Sequence, residues 1–246
     1  NGSCQTPGTP GCQYSSFSTV RPETSNHFEF GYRYTDEMVA FTLSLYNTQF
    51  KNRIVTSFDQ DQGISIDRNI GSVNVDGVDA AININFLPEL SSYTSVSYNH
   101  SRVSAGPQAI IQAGAGGAPI NLAGKELVET PDWTLAQRWE YKWSGLTFGF
   151  GGKYLASRWA TDANDLKVPG YFLADADITY DLGNLGWEGS YLKLNAFNLF
   201  NERYFSNLST KPCFNPNLPT NSACGSLPNV TVGAPQTFQF TIRTVF

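Results

Sequence analysis

Residue types that carry out chemistry in proteins are sparse in this chain. The two histidines, His27 and His100, are far apart, and no Ser/His/Asp set or glycine-rich phosphate signature is present. The segment Asp59-x-Asp61-x-Gly63 matches the start of a calcium loop, but the later acidic ligand is missing, so a hairpin turn is the better interpretation. The sequence therefore predicts no catalytic residues, no metal site and no cofactor, and it does not indicate an enzyme.

The four cysteines form two local pairs, Cys4/Cys12 and Cys213/Cys224, each inside sequence rich in Pro, Gly, Asn and Ser. Neither pair has the CxxC spacing of a metal site. Short spacing within loop-like sequence predicts two disulfides formed in an oxidising compartment. Four free thiols are the alternative.

Composition excludes some classes of protein and leaves others open. The net charge of −5 argues against a nucleic-acid partner. No apolar run approaches the ~20 residues that a membrane helix needs. Aromatic residues make up 14% of the chain and mean hydropathy is −0.27, which fits a β-rich protein whose strands are apolar on only one side.

The elements that must position any site are strands, because apolar and polar residues alternate in most segments. In the last segment, Phe238, Phe240 and Ile242 share one parity with the terminal Phe246, whereas Gln239 has the other. A half-buried strand of a soluble β domain could show the same pattern, although a terminal Phe is usual in bacterial outer-membrane barrels. The pattern predicts about nine strands: 25–34, 37–58, 64–86, 91–103, 130–142, 146–158, 170–181, 189–202 and 235–246.

The connections alternate between short turns and long loops. Short turns are predicted at Thr35-Asp36, Leu87–Leu90, Trp143–Gly145 and Leu182–Trp187, and the other connections are long except at 59–63. This is the layout of outer-membrane barrels, with periplasmic turns and extracellular loops. Charges also keep to one face, where they would meet a wet lumen (Arg138, Glu140, Lys142, Asp175, Asp177), and aromatic residues suit interfacial girdles (Trp133, Trp143, Trp159, Tyr180, Trp187).

Three stretches carry a resemblance to one family. The segment from Val20 to Tyr34 resembles the "KPE-T-S-x-x-x-E-x-G" stretch of TonB-dependent outer-membrane receptors, and Leu45–Ile54 with Asn69–Asp79 is similar to their next long hairpin. Asn195–Tyr204, followed by Gly233-Ala-Pro-x-Thr-Phe238, resembles their ending, except that Gln236 stands where Arg is common.

The resemblance implies an all-β, antiparallel transmembrane β-barrel of roughly 22 strands with a plugged lumen. Residues 1–246 would then be the C-terminal nine strands, with the plug domain absent. Nine is odd, so we expect closure to need strands from an N-terminal portion. The implied location is the bacterial outer membrane, and the implied partners are membrane lipid, the missing plug and barrel strands, and the TonB complex.

The implied function is active uptake of a scarce substrate, most often an iron–siderophore complex. A carbohydrate or cobalamin-type importer, a passive porin or adhesin-like barrel, and a secreted β-sandwich binding module are the alternatives. Substrate contacts are expected in the outer loops and upper lumen wall, where cations suit anionic chelates and Trp suits stacking. The candidates are Arg102, Lys125, Arg158, Trp159, Asp162 and Lys167, each of which could instead be an ordinary solvated loop residue.

Overall fold

The strands expected from the alternation are present in a computed structural model, which describes residues 20–59, 64–107, 110–112, 119–219 and 224–245. The strands are β1 (Thr24–Thr35), β2 (Val39–Lys51), β3 (Ile54–Asp59), β4 (Ile64–Asn69), β5 (Val73–Leu87), β6 (Leu90–Val103), β7 (Ile110–Gln112), β8 (Pro119–Asn121), β9 (Trp133–Trp143), β10 (Leu146–Leu155), β11 (Arg158–Trp159), β12 (Lys167–Val168), β13 (Tyr171–Asp181), β14 (Tyr191–Phe197), β15 (Phe205–Leu208), β16 (Val230–Val232) and β17 (Thr237–Arg243). A short 3-10 helix covers Gly183–Leu185. Among the described residues, no helix has the length and hydrophobicity needed to cross a membrane.

Nine long strands form one antiparallel sheet in the order β1-β2-β5-β6-β9-β10-β13-β14-β17. Each strand is paired with its neighbour along the chain, apart from the short loop hairpins that intervene. Among the described residues, β1 and β17 each lack a second partner in this sheet. The prediction of nine antiparallel strands is therefore confirmed.

The short turns all lie at one end of the sheet and the long connections at the other. At the turn end, Ser144 (φ 48°) and Gly145 (φ 82°) join β9 to β10. Two successive residues with positive φ match the right-handed twist of the strands they connect. The backbone amides of Met38 and Val39 donate to Asp36 Oδ1, both at 2.8 Å, and so hold the turn between β1 and β2.

Two predicted long strands are interrupted, which corrects the segments 37–58 and 64–86. Asn52 adopts a positive φ of 53° after β2, and the Glu23 carboxylate accepts bonds from the backbone amide of Ile54 (2.7 Å) and from Arg53 Nη1 (2.8 Å). These contacts turn the chain out of the main sheet, so β3 and β4 form a separate hairpin. The connection between β2 and β5 is therefore long, like the other loops, and residues 60–63 of the predicted turn at 59–63 lie outside the described residues.

The register places apolar side chains in continuous rows on one face of the sheet. One such row joins neighbouring strands from β2 to β13 through Leu43, Ala80, Val96, Leu135, Tyr154 and Phe172. Within the described residues no second sheet covers this face, since Phe30 is 71% exposed and Phe240 is 61% exposed. A soluble β-sandwich buries such a face, whereas a membrane barrel presents it to lipid.

Among the described residues, most of the buried apolar residues lie at the loop end; Leu182, in the turn between β13 and β14, is an exception. One cluster is formed by Ile70, Val73, Val103, Ile111 and Leu122, and a second by Ala160, Val168 and Leu208. Loop packing thus supplies these small apolar cores, while the described part of the chain leaves the two faces of the sheet uncovered.

Candidate functional site

The polar face of the sheet carries a ladder of charges that crosses four strands. Arg138 in β9 pairs with Asp177 in β13 (Nη2–Oδ2 2.9 Å), and Lys193 in β14 pairs with the same carboxylate (Nζ–Oδ1 3.2 Å). Glu140 extends the ladder, at 3.8 Å from Arg138 and 4.0 Å from Lys142. The Asp177 side chain is only 10% exposed, so the two cations compensate a largely desolvated carboxylate.

The Arg138–Asp177 ion pair spans the intervening strand β10. It can do so because the residues of β10 that face the pair are glycines, which place no side chain between the two charged groups. Gly149 faces Asp177 in the register, and Gly151 faces Arg138. A Cβ at Gly149 would lie 2.4 Å from both Arg138 Nη2 and Asp177 Oδ2. The glycine therefore permits the pair, and the alternation pattern alone did not reveal this use of it.

Asn198 fixes the chain where β13, β14 and β17 meet their loops. It adopts a positive φ of 50°, and its backbone amide donates to Asp175 Oδ1 at 2.8 Å. Its buried side chain donates to the carbonyl oxygens of Glu202 (2.9 Å) and Ala234 (3.0 Å) and accepts from the Glu202 amide (2.8 Å). These bonds support a structural role for the Asn-Leu-Phe-Asn-Glu-Arg-Tyr stretch.

At the loop end, two of the predicted substrate contacts are buried among packed loops. Arg158 is 4% exposed, and its Nη2 donates to the Phe205 carbonyl oxygen at 3.0 Å. Asp162 is 6% exposed, and its backbone amide donates to the Lys211 carbonyl oxygen at 2.9 Å. The Arg158 side chain and the Asp162 backbone hold loops together in this structure, and the contact of these two residues with substrate stays a prediction.

The Asp162 carboxyl is the most perturbed acid among the loops. Burial raises its pKa from the ordinary value of 3.8 to about 7, although the positive charge of Arg68 acts in the opposite direction. Among the described residues, its Oδ2 is buried without a hydrogen-bond partner. Both features favour the protonated acid within the packed loops.

We therefore expect the packing of these loops to weaken as the pH rises. The unfolded acid releases its proton near pH 3.8 and the folded acid near pH 7, so the contribution is complete below the first value and lost by the second. In Asp162→Asn this loss should be absent, and peptides covering 158–168 should exchange amide hydrogens more slowly than wild type above pH 7. As a control, the two proteins should exchange amide hydrogens at equal rates at pH 4. A ratio of wild-type to variant exchange rates that does not change with pH would contradict the assignment.

The remaining aromatic and basic candidates include one pair that lies together. Lys167 is exposed, and its Nζ lies 4.7 Å from the centre of the Trp159 ring, across the β11–β12 hairpin. The Trp159 indole Nε1 donates to Glu126 Oε2 at 2.7 Å. Trp159 therefore lies in a loop hairpin and not at an end of the main sheet, which corrects its expected place in an interfacial girdle.

Arg102 lies on the neighbouring strand β6, and Lys125 lies on the loop that follows β8. Arg102 is exposed near the end of β6, opposite Asn74 of β5. Lys125 is half-buried, and its carbonyl oxygen accepts the Val103 amide at 2.9 Å, which places the loop beside β6. Five of the six candidates thus lie on two adjoining loops and Arg102 lies at the end of β6, with Trp159 and Lys167 as a pair in direct contact.

One of the two predicted disulfides lies within the described residues and is confirmed. Cys213 and Cys224 are bonded, with their Cα atoms 5.0 Å apart, in the loop between β15 and β16. Cys4 and Cys12 lie outside the described residues, as does the terminal Phe246. The 4–12 disulfide stays a prediction.

Peptide mapping by mass spectrometry without reductant should detect both linkages. We expect peptides joined through Cys213 and Cys224, and separately through Cys4 and Cys12, and both should separate after reduction. Alkylation of Cys4 and Cys12 in the unreduced protein would contradict the second pairing while leaving the first intact.

Comparison with known proteins identifies the family. A family model described as TonB dependent receptor-like, beta-barrel matches residues 3–201, which is most of the chain. The chain belongs to this family. The nine-stranded sheet is therefore part of an outer-membrane β-barrel, and the TonB-dependent receptors are transport receptors and not enzymes.

Two curated TonB-dependent receptors match part of the chain. The ferrichrome outer membrane transporter/phage receptor of Escherichia coli (strain K12) is 42% identical over 72 residues, covering 29% of this chain and 10% of that protein. The ferrioxamine receptor of Yersinia enterocolitica is 37% identical over 73 residues, covering 28% of this chain and 10% of that protein.

A solved structure shows the same fold. The siderophore receptor PiuA from Acinetobacter baumannii superimposes with a TM-score of 0.66 at 20% identity, covering 89% of this chain and 28% of that receptor. The chain thus spans less than a third of PiuA and a tenth of each curated relative's length is aligned. Together these receptors place the protein in the bacterial outer membrane.

Proposed function

We propose that this chain forms the C-terminal part of the barrel of a receptor that imports an iron–siderophore complex across the outer membrane. In this proposal the loops capture the complex, and the barrel forms the wall of the path along which the complex moves. The TonB complex acts through a plug domain outside this chain to open that path. The described residues contribute the nine strands of the main sheet and four long loop connections to the whole.

The proposal rests on which proteins this chain resembles. Both curated matches bear the names of receptors for iron chelates, ferrichrome and ferrioxamine, and PiuA is described as a siderophore receptor. A separate argument comes from the sheet, whose charged face suits a wet path and whose apolar face suits lipid. These features are common to importers of other substrates, so the iron–siderophore assignment depends on the relatives.

Within the loops, the Trp159–Lys167 pair is the most accessible candidate for contact with the substrate. Lys167 is exposed and can approach an anionic chelate, while the Trp159 indole is held in place by Glu126. Arg158 and Asp162 would act by fixing the loops that present this pair. Arg102 and Lys125 would add positive charge on the adjoining strand and loop.

We expect Trp159→Ala and Lys167→Ala each to raise the half-saturating concentration for uptake of the iron-loaded siderophore by about tenfold. A cation–π or charge contact contributes roughly 1–2 kcal/mol when partly desolvated, and 1.4 kcal/mol is tenfold. The measurement is uptake of radioactive iron by cells that carry the intact receptor as their sole route for that complex. Lys142→Ala is the matched control, since Lys142 is an exposed lysine at the turn end.

The same assay distinguishes the alternative functions. Iron uptake that disappears when TonB is deleted supports the proposal, whereas uptake that continues without TonB indicates a passive barrel. If no iron–siderophore complex is taken up but an oligosaccharide or a cobalamin is, the receptor belongs to another substrate class. Unchanged uptake in both loop variants would remove Trp159 and Lys167 from the substrate site.

A further inference from the structure

Three potential metal ligands that are distant in sequence meet beside the extracellular end of β6. They are His100, within β6, and Glu126 and Asp132, in the connection between β8 and β9. Each side chain is half-buried, and one potential ligand atom from each lies within 4.8 Å of the other two. Sequence spacing alone did not predict this cluster, because the connection has to fold back along β6 to form it.

The backbone holds this connection against β6 on both sides of His100. The Asn99 amide donates to the Asp132 carbonyl oxygen at 2.9 Å, and the Leu127 amide donates to Ser101 Oγ at 2.9 Å. The Glu126 amide donates to Asn164 Oδ1 (2.7 Å), and Asn164 Nδ2 donates to the Glu126 carbonyl oxygen (3.0 Å). The positions of the acidic residues relative to His100 are therefore set by hydrogen bonds outside the cluster.

Within the described part of the chain, the cluster carries two carboxylates without a compensating cation. No arginine or lysine there forms an ion pair with Glu126 or Asp132. Lys167 instead lies over the Trp159 ring, and the Trp159 indole donates to one Glu126 oxygen. The His100 imidazole and the Asp132 carboxylate make no hydrogen bond with any described residue.

We propose that His100, Glu126 and Asp132 bind a divalent transition-metal ion of the Zn²⁺ type. One imidazole nitrogen with two carboxylate oxygens is a donor set that such ions accept, and a bound dication would offset the charge of the two carboxylates. Ligand atoms around a tetrahedral Zn²⁺ are about 3.4 Å apart, so the side chains must close by roughly 1 Å. The indole bond to Glu126 Oε2 orients that carboxylate, as partners outside the coordination sphere commonly do.

The bound ion would link the long connection between β6 and β9 to β6, the strand that precedes it. Because Glu126 also contacts Trp159, the ion would stiffen the loop that supports the Trp159–Lys167 pair. The metal is therefore a resident structural ion in this proposal and not the imported cargo. Its test is independent of the iron–siderophore assignment, because the readout is metal binding and not uptake.

The decisive experiment measures Zn²⁺ binding by the intact receptor, purified in detergent without a histidine tag and stripped with chelator. Competition with a chromophoric zinc indicator should show a site with micromolar or tighter affinity. The affinity should fall at least tenfold in His100→Ala, Glu126→Gln and Asp132→Asn. His27→Ala is the matched control and should bind as wild type does, because Thr48 and Glu29 already occupy both nitrogens of His27.

Several outcomes would overturn the proposal. Wild-type receptor that binds no Zn²⁺ at micromolar concentration removes the site, and equal affinity in wild type and His100→Ala removes the imidazole from it. Ca²⁺ binding that exceeds Zn²⁺ binding and survives His100→Ala would indicate an oxygen-only site instead. Asp132→Asn is isosteric, so it decides the matter if His100→Ala fails to fold, and Co²⁺ provides a second measurement through a visible absorption band that should depend on His100.

Discussion

Ile82→Arg is expected to destabilise the barrel in lipid by roughly 2–4 kcal/mol if the side chain lies near the bilayer midplane. Ile82 lies on the apolar face of β5, opposite Phe41 of β2 and Thr94 of β6. An arginine there exchanges an apolar contact with acyl chains for a charge that hydrocarbon cannot solvate. Phe240→Arg in β17 should have the same effect, because Phe240 has the same orientation and is 61% exposed in the isolated sheet.

The measurement is the free energy of unfolding of the intact receptor from lipid vesicles in denaturant. Ala81→Arg is the matched control, since Ala81 directly precedes Ile82 in β5 and lies on the polar face opposite Thr42 and Ser95. Its substitution should cost much less, because the charge enters a wet groove. If Ile82→Arg and Ala81→Arg have equal effects, the assignment of the two faces is wrong.

Gly149→Ala is expected to destabilise the receptor by about 1–3 kcal/mol, an effect similar to overpacking a core. The new Cβ would lie 2.4 Å from Arg138 Nη2 and from Asp177 Oδ2, so the two groups must separate. The Asp177 carboxylate, only 10% exposed, would then lose one of its two cations. The cost should remain below that of a deeply buried pair, because the Arg138 side chain is 41% exposed and can regain water.

Gly151→Ala is the matched control for this prediction. Gly151 is on the same strand and face, yet a Cβ there would meet only the Gln137 carbonyl oxygen, at 3.4 Å. We expect a change within about 0.5 kcal/mol, since removing a strand glycine also lowers the entropy of the unfolded chain. In an Asp177→Asn background the Gly149→Ala cost should shrink, and a cost that stays the same would show that the ion pair is not its cause.

The strands could be predicted well because strand geometry is local. Alternation places Phe238, Phe240 and Ile242 on one face whatever the rest of the chain does, and the turn residues limit which strands can be neighbours. The same approach failed at Asn52, where a positive φ and the distant Glu23 carboxylate turn the chain out of the sheet. No periodic signal in the sequence marks that break.

The loop residues were harder to assign because exposure depends on packing between segments. Arg158 and Asp162 have the sequence context of solvated loop residues, yet contacts with the loop between β14 and β17 bury them. Trp159 was expected at an interface and instead binds Glu126 from another loop. In each case the deciding partner is distant along the chain.

By itself, the sequence determined that this protein is an antiparallel sheet with one face for lipid, one for water, short turns at one end and long loops at the other. Each of these features follows from a period of two residues and from turn chemistry, which act between near neighbours. Only the tertiary structure decided that Gly149 passes beneath an ion pair, that Asp162 is buried, and that His100 meets Glu126 and Asp132. Those contacts are set by the register across strands and by the folding back of loops, and no local pattern of residues specifies them.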